Sequence, residues 1–408
     1  MSRSVIQLKC DCNNYPWGKQ GKESLAAVYA SQTPGTDFKI DEQKEYAEMW
    51  MGTYPTTPSY VLSSNENLQD VLNANAEKLI GQPVLQKYGK DLPFLPKILS
   101  IQKALPLQIH PDKELASKLH QKNPDKFGDE NHKPEIAVAL SRFEVFVGWK
   151  PLQAIQSLFS SIPALQKRFV PEEQVHFNAE TLQQIVFRIL SASDDMIKDT
   201  QDDLQSLPRE VFGKDAYMAD LLPRLIEQYS KTDPGSLVAL LCMNFLDLNP
   251  GDSVYVPADG IHAYLSGDIV ECMARSDNVL NTGFCPRPDR DSIDLFTEAL
   301  TFSPRSADEA LLPAKPFDRG LKGKTKIYAP PMSEFNMLLT QLGAGESELV
   351  QEITGPSIMI VTSGSGTMKA EGETHKIEHG FIYFIGCCTS LEFEAEQGLE
   401  IYRAYCEA

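Results

Sequence analysis

The spacing of apolar residues changes along the chain, and each change predicts a different kind of element. The sequence NLQDVLNANAEKLIG predicts a helix that begins near Asn67 and ends near Gly81. Between residues 95 and 150, short apolar runs alternate with turns, and the alternation in RFEVFVGW is typical of a strand. Between residue 151 and about residue 248, apolar residues recur at helical spacing and glycines are few. Short strands separated by turns then return and continue to the end of the chain.

These changes predict four segments and a fold that is mainly β with a helical insertion. Residues 1–150 are expected to form the N-terminal part of a β domain, residues 151–248 a helical insertion domain, and residues 249–318 the returning part of the same β domain. Residues 319–408 are expected to form a second, smaller antiparallel barrel or jelly roll. The predicted fold class is therefore two antiparallel β-barrel domains plus one α-helical domain.

Charge and composition narrow the possible partners. The 408 residues include 38 Lys+Arg and 56 Asp+Glu, which gives a net charge of −18 and disfavours nucleic acid and anionic membranes. The longest apolar runs are far shorter than the roughly 20 residues of a membrane helix, and the N-terminal residues lack an apolar signal core. The eight cysteines include no CxxC pair and are expected to be reduced thiols. We therefore expect a cytoplasmic protein whose partner is a small molecule, and a monomer, although composition and charge do not determine the oligomeric state.

Three segments carry side chains of the kinds that bind metals. Residues two apart on a strand face the same side, so Gln108 and His110 can point into one cavity. Glu135 stands before the apolar run IAVAL, and His262 follows a Pro-Ala-Asp-Gly turn. Two imidazoles, one carboxylate and one amide oxygen suit Zn²⁺ or another borderline divalent metal. The first two segments also have a purely structural interpretation. Gln108 and His110 could be a hydrogen-bonded pair on a strand, and His132, three residues before Glu135, could belong to a solvated polar turn.

The segment GDSVYVPADGIH, which ends at His262, is more specific than the other two. Its glycines permit tight turns and its proline fixes the backbone before the candidate ligand, so several spacings must agree at once. The segment resembles the second sequence motif of the cupin barrel superfamily, in which a strand, a turn and a strand deliver a metal-binding histidine.

Taken together, PLQIHPDK, NHKPE and VPADGIHAYLSGDIVECMARSDN resemble the signature segments of type I phosphomannose isomerases. YPWGKQ, AEMWMGTYP and LPKILSI resemble the same family, so the resemblance covers essentially the whole chain. It implies two cupin-type barrels, the second without metal, and one Zn²⁺ per chain held by Gln108, His110, Glu135 and His262. It also implies an enzyme that interconverts mannose 6-phosphate and fructose 6-phosphate and supplies GDP-mannose synthesis and glycosylation.

The resemblance assigns roles to further residues. Aldose–ketose isomerisation moves a proton between C1 and C2 through a cis-enediol, so the site needs a base as well as an electrophile. Glu271 matches an acidic active-site position of the family, and Lys133 matches a lysine proposed to take part in proton transfer. Considered alone, the two residues would more often be a structural glutamate on a strand and a surface lysine, but the motifs around them reverse that preference. Lys97 and Trp17, in the family-like segments LPKILSI and YPWGKQ, are further candidates for substrate binding.

The chain departs from the family at several site positions. Asn281 stands where an arginine thought to be essential is usual, and Cys285 and Arg287 stand where a threonine and a lysine are usual. Pro106 replaces a common serine, and Tyr54 replaces a common histidine. These departures put the catalytic-arginine position and the sugar preference in question, whereas the metal ligands are all present.

Nearby cations are candidates to compensate for the lost arginine. Arg275 or Arg290 lies in the same region and could supply the charge, and we assign a catalytic role to Arg275. Arg287 is our candidate for the substrate phosphate, because a guanidinium binds two phosphate oxygens at once.

Two other function classes are weighed against the isomerase. Asn281 motivates a diverged cupin that binds sugar phosphates with weak or no isomerase activity. A metal-dependent oxygenase is disfavoured. Iron sites of that kind prefer two or three histidines, whereas this chain offers only two candidate histidines and has Gln108 as a further ligand. In the last segment, His375 and His379 lack a carboxylate partner arranged as in the first barrel, so no metal is expected there.

Overall fold

A computed structural model describes residues 3–172, 177–332 and 334–408 of the chain. Helices account for about 30% of the structure and strands for about 31%. The fold is therefore mixed rather than mainly β, because short helices occur throughout the first 125 residues as well as in the predicted insertion. In the described part of the chain, no helix has the length and apolar character needed to cross a membrane.

The strands of the described residues are mostly short. In chain order they are β1 (Val5–Lys9), β2 (Cys12–Asn13), β3 (Lys19–Gln20), β4 (Glu45–Tyr46), β5 (Glu48–Trp50), β6 (Tyr60–Val61), β7 (Phe94–Ile101), β8 (Leu107–Ile109), β9 (Glu135–Ala139), β10 (Phe143–Trp149), β11 (Met243–Leu248), β12 (Ser253–Val256), β13 (His262–Ala274), β14 (Leu280–Gly283), β15 (Lys315–Pro316), β16 (Thr325–Tyr328), β17 (Asn336–Leu342), β18 (Ser347–Val350), β19 (Ser357–Ala370), β20 (Glu373–Glu378), β21 (Ile382–Ile385) and β22 (Leu391–Tyr405).

The α-helices concentrate between β10 and β11, as the apolar spacing predicts. In chain order the helices are α1 (Leu25–Gln32), α2 (Leu68–Ala74), α3 (Ala76–Leu79), α4 (Gln82–Tyr88), α5 (Lys113–Lys122), α6 (Leu152–Ser161), α7 (Pro163–Phe169), α8 (Ala179–Leu190), α9 (Asp194–Ser206), α10 (Met218–Gln228), α11 (Pro234–Cys242) and α12 (Ile293–Ala299). Short 3₁₀ segments span Gly21–Glu23, Arg209–Asp215, Arg287–Asp289 and Ala307–Ala310.

The single helix predicted between Asn67 and Gly81 is interrupted. Two helices, α2 and α3, meet at Asn75, which has non-helical backbone angles, and Gly81 has a φ of +87°. A positive φ favours glycine and stops the second helix, so the sequence indicated the end correctly and missed the break.

Two ten-stranded sheets organise the molecule, and their strand pairs are antiparallel. The first sheet runs β11-β10-β13-β7-β5-β2, with β8, β9, β12 and β14 attached beside this path. The second sheet runs β15-β16-β17-β22-β19-β21-β1-β6, with β18 and β20 attached. The small pair β3–β4 stands apart. The division into four segments stays a prediction, and the second sheet crosses it, because β1 and β6 come from the first 65 residues of the chain.

Apolar cores lie on both sides of the first sheet. One large core joins the insertion helices to the outer face of β10 and β13, as with Phe146, Ile185 and Leu265. A second core lies between the sheets, where Ile98 and Val270 of the first sheet belong to the same buried cluster as residues of the second, such as Phe384. The first sheet is thus held from two sides, which fixes the strands that carry the polar residues described next.

Candidate metal centre and active site

Strand β13 directs both His262 and Glu271 toward one interior, although residues nine apart face opposite sides of a regular strand. A β-bulge resolves this: the register of β13 against β10 shifts by one residue between Tyr264 and Ser266. Gly267 follows with a φ of +120°, a conformation that side chains disfavour. The bulge switches the alternation, so that even-numbered residues before it and odd-numbered residues after it face inward.

Glu135 lies between two imidazoles at the centre of this interior. Its Oε1 is 3.2 Å from His110 Nε2, and its Oε2 is 3.4 Å from His262 Nε2. One ligand-type atom from each of the three side chains can be chosen so that all lie within 4.8 Å of one another, and all three side chains are buried. The structure therefore brings together three of the four predicted metal ligands by side-chain contact.

The hydrogen bonds of the two imidazoles show what belongs between them. His110 Nδ1 lies 2.8 Å from Asn278 O, and His262 Nδ1 lies 2.9 Å from Gly260 O. A carbonyl only accepts, so each Nδ1 carries the proton and each neutral ring has only a lone pair at Nε2. Both Nε2 atoms are buried, have no hydrogen-bond partner among the described residues, and face the Glu135 carboxylate. Acceptors that face acceptors in a buried site require a cation, and these residues fit a metal ion.

Electrostatics keep the ligands in their metal-binding forms. Burial, reinforced by the Lys133 ammonium, lowers the pKa of His110 to about 4. Burial acts to raise the pKa of Glu135, but the positive charge of His110 when its ring is protonated, together with the Lys133 ammonium, holds that pKa well below its usual range. Lys133 Nζ is 3.4 Å from Glu135 Oε1 and the residue is buried. A neutral imidazole and an ionised carboxylate are the forms that bind metals.

Gln108, the fourth predicted ligand, is placed by strand register. It pairs with His262 on β13 and with Asn281 on β14, so the three side chains share one face of the sheet. Asn281 stands at the family arginine position. Its Oδ1 is buried and has no hydrogen-bond partner in the described part of the chain, and its backbone N–H donates to Asp291 Oδ2. An amide and no charge therefore occupies that position.

A second buried cluster surrounds Lys97. Its Nζ is 3.4 Å from Glu48 Oε2 and 3.7 Å from Glu271 Oε2, and it lies 4.3 Å from the centre of the Trp50 ring. Burial alone would lower the pKa of Lys97, but the two carboxylates raise it above its usual range. Burial, with the charge of Glu135 nearby, raises the pKa of Glu271 to about 8. A buried carboxyl group whose pKa is near neutrality suits proton transfer.

Sequence reasoning missed Tyr264, which joins the two clusters. Its hydroxyl donates to Glu135 Oε2 at 3.1 Å. Burial, and then the charges of Glu135 and Glu271, raise its pKa well above the usual range, so it remains a neutral donor. Its position two residues after His262 on the same strand is a signal that the alternation rule could have used.

Arg275 lies at the edge of this region and is held by the segment around Tyr54. Its guanidinium donates to Thr53 Oγ1 at 3.1 Å and lies 5.3 Å from the centre of the Tyr54 ring. About 19% of the side chain is exposed, so it is partly available to a ligand. The other two arginines of this region are committed elsewhere.

Arg287 is 63% exposed and forms an ion pair with Asp194 at the start of α9. Arg290 donates to Asp233 Oδ2 at 2.9 Å. Trp17, a predicted substrate-binding residue, stacks on Tyr15 at 5.7 Å. No hydrogen bond or ion pair among the described residues joins these three side chains to the metal ligands.

A residue next to the second sheet contacts the segment that carries Lys133 and Glu135. This residue is Glu334, which lies two positions before β17, and its Oε1 is 2.6 Å from His132 Nε2. Neighbouring residues on an extended chain point to opposite sides, and Pro134 favours an extended conformation at Lys133. Anchoring His132 outward therefore keeps Lys133 directed toward Glu135.

Two imidazoles and a carboxylate on antiparallel strands, with a neutral glutamine beside them, form a group that could hold one metal ion, as in metal-binding proteins with a mononuclear site. The sequence profile described as "Phosphomannose isomerase type I, catalytic domain" matches residues 5–152, and the profile of the type I C-terminal region matches residues 326–373. This chain belongs to the type I phosphomannose isomerase family.

Relatives and solved structures agree along the whole chain. The mannose-6-phosphate isomerase of Schizosaccharomyces pombe is 37% identical over 99% of this chain and all of its own length. That of Saccharomyces cerevisiae is 36% identical over the full length of both. A crystal structure of a variant phosphomannose isomerase from Salmonella typhimurium superposes with a TM-score of 0.84 at 25% identity, and a zinc-bound mannose 6-phosphate isomerase with 0.82 at 25%, each covering all of both chains.

Proposed function

We propose that this chain is a zinc-dependent aldose–ketose isomerase that interconverts D-mannose 6-phosphate and D-fructose 6-phosphate. The observation that carries the proposal is the pair of partnerless Nε2 atoms, of His110 and His262, that face Glu135. Relatives named mannose-6-phosphate isomerase over the full length support the substrate, and a zinc-bound neighbour supports the metal.

Four residues would hold one zinc ion: Gln108, His110, Glu135 and His262. When bound, zinc supplies a Lewis acid that polarises the carbonyl and hydroxyl oxygens of the sugar. Asn278 and Gly260 hold the two rings through Nδ1, and Tyr264 orients the carboxylate, so the protein fixes each ligand from behind.

Glu271 is our candidate to move the proton between C1 and C2 through the cis-enediol. Its carboxyl group is buried, and Lys97 3.7 Å away stabilises the carboxylate when the proton leaves. Lys133 forms an ion pair with Glu135. We assign it the role of stabilising negative charge on the sugar oxygens rather than that of moving the proton. Water is excluded by the low exposure of all these groups.

Arg275 would supply the positive charge that Asn281 lacks, since it is the partly exposed arginine beside Tyr54. Arg287 would bind the phosphate only after releasing Asp194, so its role requires that ion pair to open. Lys97 and Trp17 remain proposals for substrate binding, Trp17 through its stack with Tyr15 at the margin of the Lys97 cluster.

The finer architecture and setting are part of the same proposal. We infer two cupin-type barrels. The helical domain at residues 151–248 is inserted in the first barrel, and the second barrel comprises residues 319–408. The strand, turn and strand around His262 support the cupin assignment. Eight free cysteines support a cytoplasmic location. A monomeric state and a role in GDP-mannose supply rest on the family resemblance.

A sugar-phosphate-binding protein with little isomerase activity is the second candidate, and the uncharged Asn281 beside Gln108 favours it. The test is a metal analysis of the purified protein combined with an isomerase assay on mannose 6-phosphate. Stoichiometric zinc with turnover that chelation abolishes and Zn²⁺ restores is the result expected of the isomerase. Zinc with tight sugar-phosphate binding but without turnover would favour the binding protein, and full activity after metal removal would exclude the proposed site.

A further inference from the structure

Arg403 places a buried charge on the inner face of the second sheet. The residue is only 3% exposed, and its cross-strand neighbours Leu338 and Met359 are buried and apolar. Its Nε donates to Ser357 Oγ at 2.8 Å. The other two nitrogens, Nη1 and Nη2, are buried and have no hydrogen-bond partner among the described residues.

The charges near Arg403 do not balance it. Arg319 and Glu407 form a two-bonded ion pair, with nitrogen–oxygen distances of 2.9 and 2.7 Å, and Glu407 also accepts from Thr354. Three of these four bonds go to Glu407 Oε1 and one to Oε2, and Arg403 donates none of them. Two guanidinium groups therefore share one carboxylate. Burial raises the pKa of Tyr405 to about 12, so that phenol adds no negative charge at neutral pH. Burial lowers the pKa of Arg403 only to about 10, so it stays protonated there.

An unpaired buried charge costs several kcal/mol, and satisfied hydrogen bonds with an opposite charge offset that cost. The free edge of Arg403 presents two parallel N–H donors, the geometry that grips both oxygens of one carboxylate. We propose that the second sheet holds a small monovalent anion on the Nη1–Nη2 edge of Arg403, with a carboxylate as its preferred chemical class. This site would be separate from the metal centre and take no part in the isomerisation.

The first test is thermal unfolding of the zinc-loaded full chain in halide-free buffer, titrated with formate. We expect a saturable rise of about 2–5 °C in Tm at about a hundredfold excess over Kd, because the ligand binds only the folded state. In R403M the rise should disappear. R142M is the matched control, because Arg142 is already paired with Asp247 at the surface, and it should keep the full rise. A rise that persists in R403M would place the anion elsewhere and overturn the proposal.

The second test needs no variant and so decides the question even if R403M fails to fold. Crystals of the wild-type chain soaked in bromide should show an anomalous peak within hydrogen-bonding reach of Arg403 Nη1 and Nη2, and prior soaking in formate should remove it. If Tm is independent of formate and bromide gives no peak, ordered water satisfies Arg403 and the proposal is wrong.

Discussion

The interiors of the two sheets bury polar groups of opposite kinds. In the first, the Nε2 lone pairs of His110 and His262 face the carboxylate of Glu135, and no donor among the described residues reaches either Nε2 atom. In the second, Arg403 buries two N–H-bearing nitrogens without an acceptor. We propose a cation for the first group and an anion for the second. In both proposals the sign of the ion follows from the protein groups left unpaired around it.

The largest expected effect removes a metal ligand from the first sheet. In H262A we expect loss of bound zinc and an activity loss that exceeds the roughly 10–100-fold cost of losing an outer-shell partner. Metal analysis and the isomerase assay measure it. H375A, in the second sheet, is the control and should leave both unchanged. Normal zinc content in H262A would show that His262 is not a zinc ligand and would remove the proposed difference between the two sheets.

The next effect separates proton transfer from metal binding. E271Q should retain zinc, because Glu271 is not one of the four residues that would hold the metal. The same substitution should lower kcat by about 10²-fold or more. Steady-state kinetics with metal analysis of the same sample give the result. E144Q, on the outer side of the neighbouring strand, serves as the matched control. Unchanged turnover in E271Q would reduce Glu271 to a structural role.

The bulge in β13 provides a third test. In G267A the new Cβ would lie 2.4 Å from Arg142 O at a φ of +120°, so we expect a loss of stability of about 1–3 kcal/mol. Because the bulge sets the facing of Glu271 relative to His262, kcat should fall as well. Denaturant unfolding and kinetics measure the two effects. G148A, also at positive φ but with open space around it, should cost less and spare kcat.

The smallest expected effect concerns the arginines. R275A should lower kcat/KM by about 10-fold or more, the scale of a lost charged hydrogen bond of about 1.5–3 kcal/mol. R287A should instead raise KM for the phosphorylated sugar, and added salt should weaken the same contact. Kinetics on both variants and on N281R sharpen the comparison. If neither loss matters and N281R raises activity strongly, the compensation argument fails.

Local pattern singled out residues that the structure brings together, but it did not indicate how distant parts of the chain are placed. The turn before His262 and the Gln-x-His strand are local features, and the structure brings His110, Glu135 and His262 together. The direction of the Glu271 side chain depends on a β-bulge, and Gly267 is the only feature of the sequence that indicates this bulge. The assignment of Arg287 to phosphate could not anticipate Asp194, which comes from a helix of the predicted insertion. Burial of Arg403 is equally a property of the assembled sheet, since no local spacing marks it.

The pairing of β1 with β21 has a consequence for how the chain is made. The second sheet cannot close around β1 until residues beyond Ile382 have emerged from the ribosome. At about 5–20 residues per second, that delay is on the order of tens of seconds. Throughout it, the apolar side chains of Val5 and Ile6 lack β21, although Leu8 can already pair with Val61 of β6. The earliest strand is therefore among the last to reach its final place, and a nascent chain stalled before Ile382 would present it to chaperones.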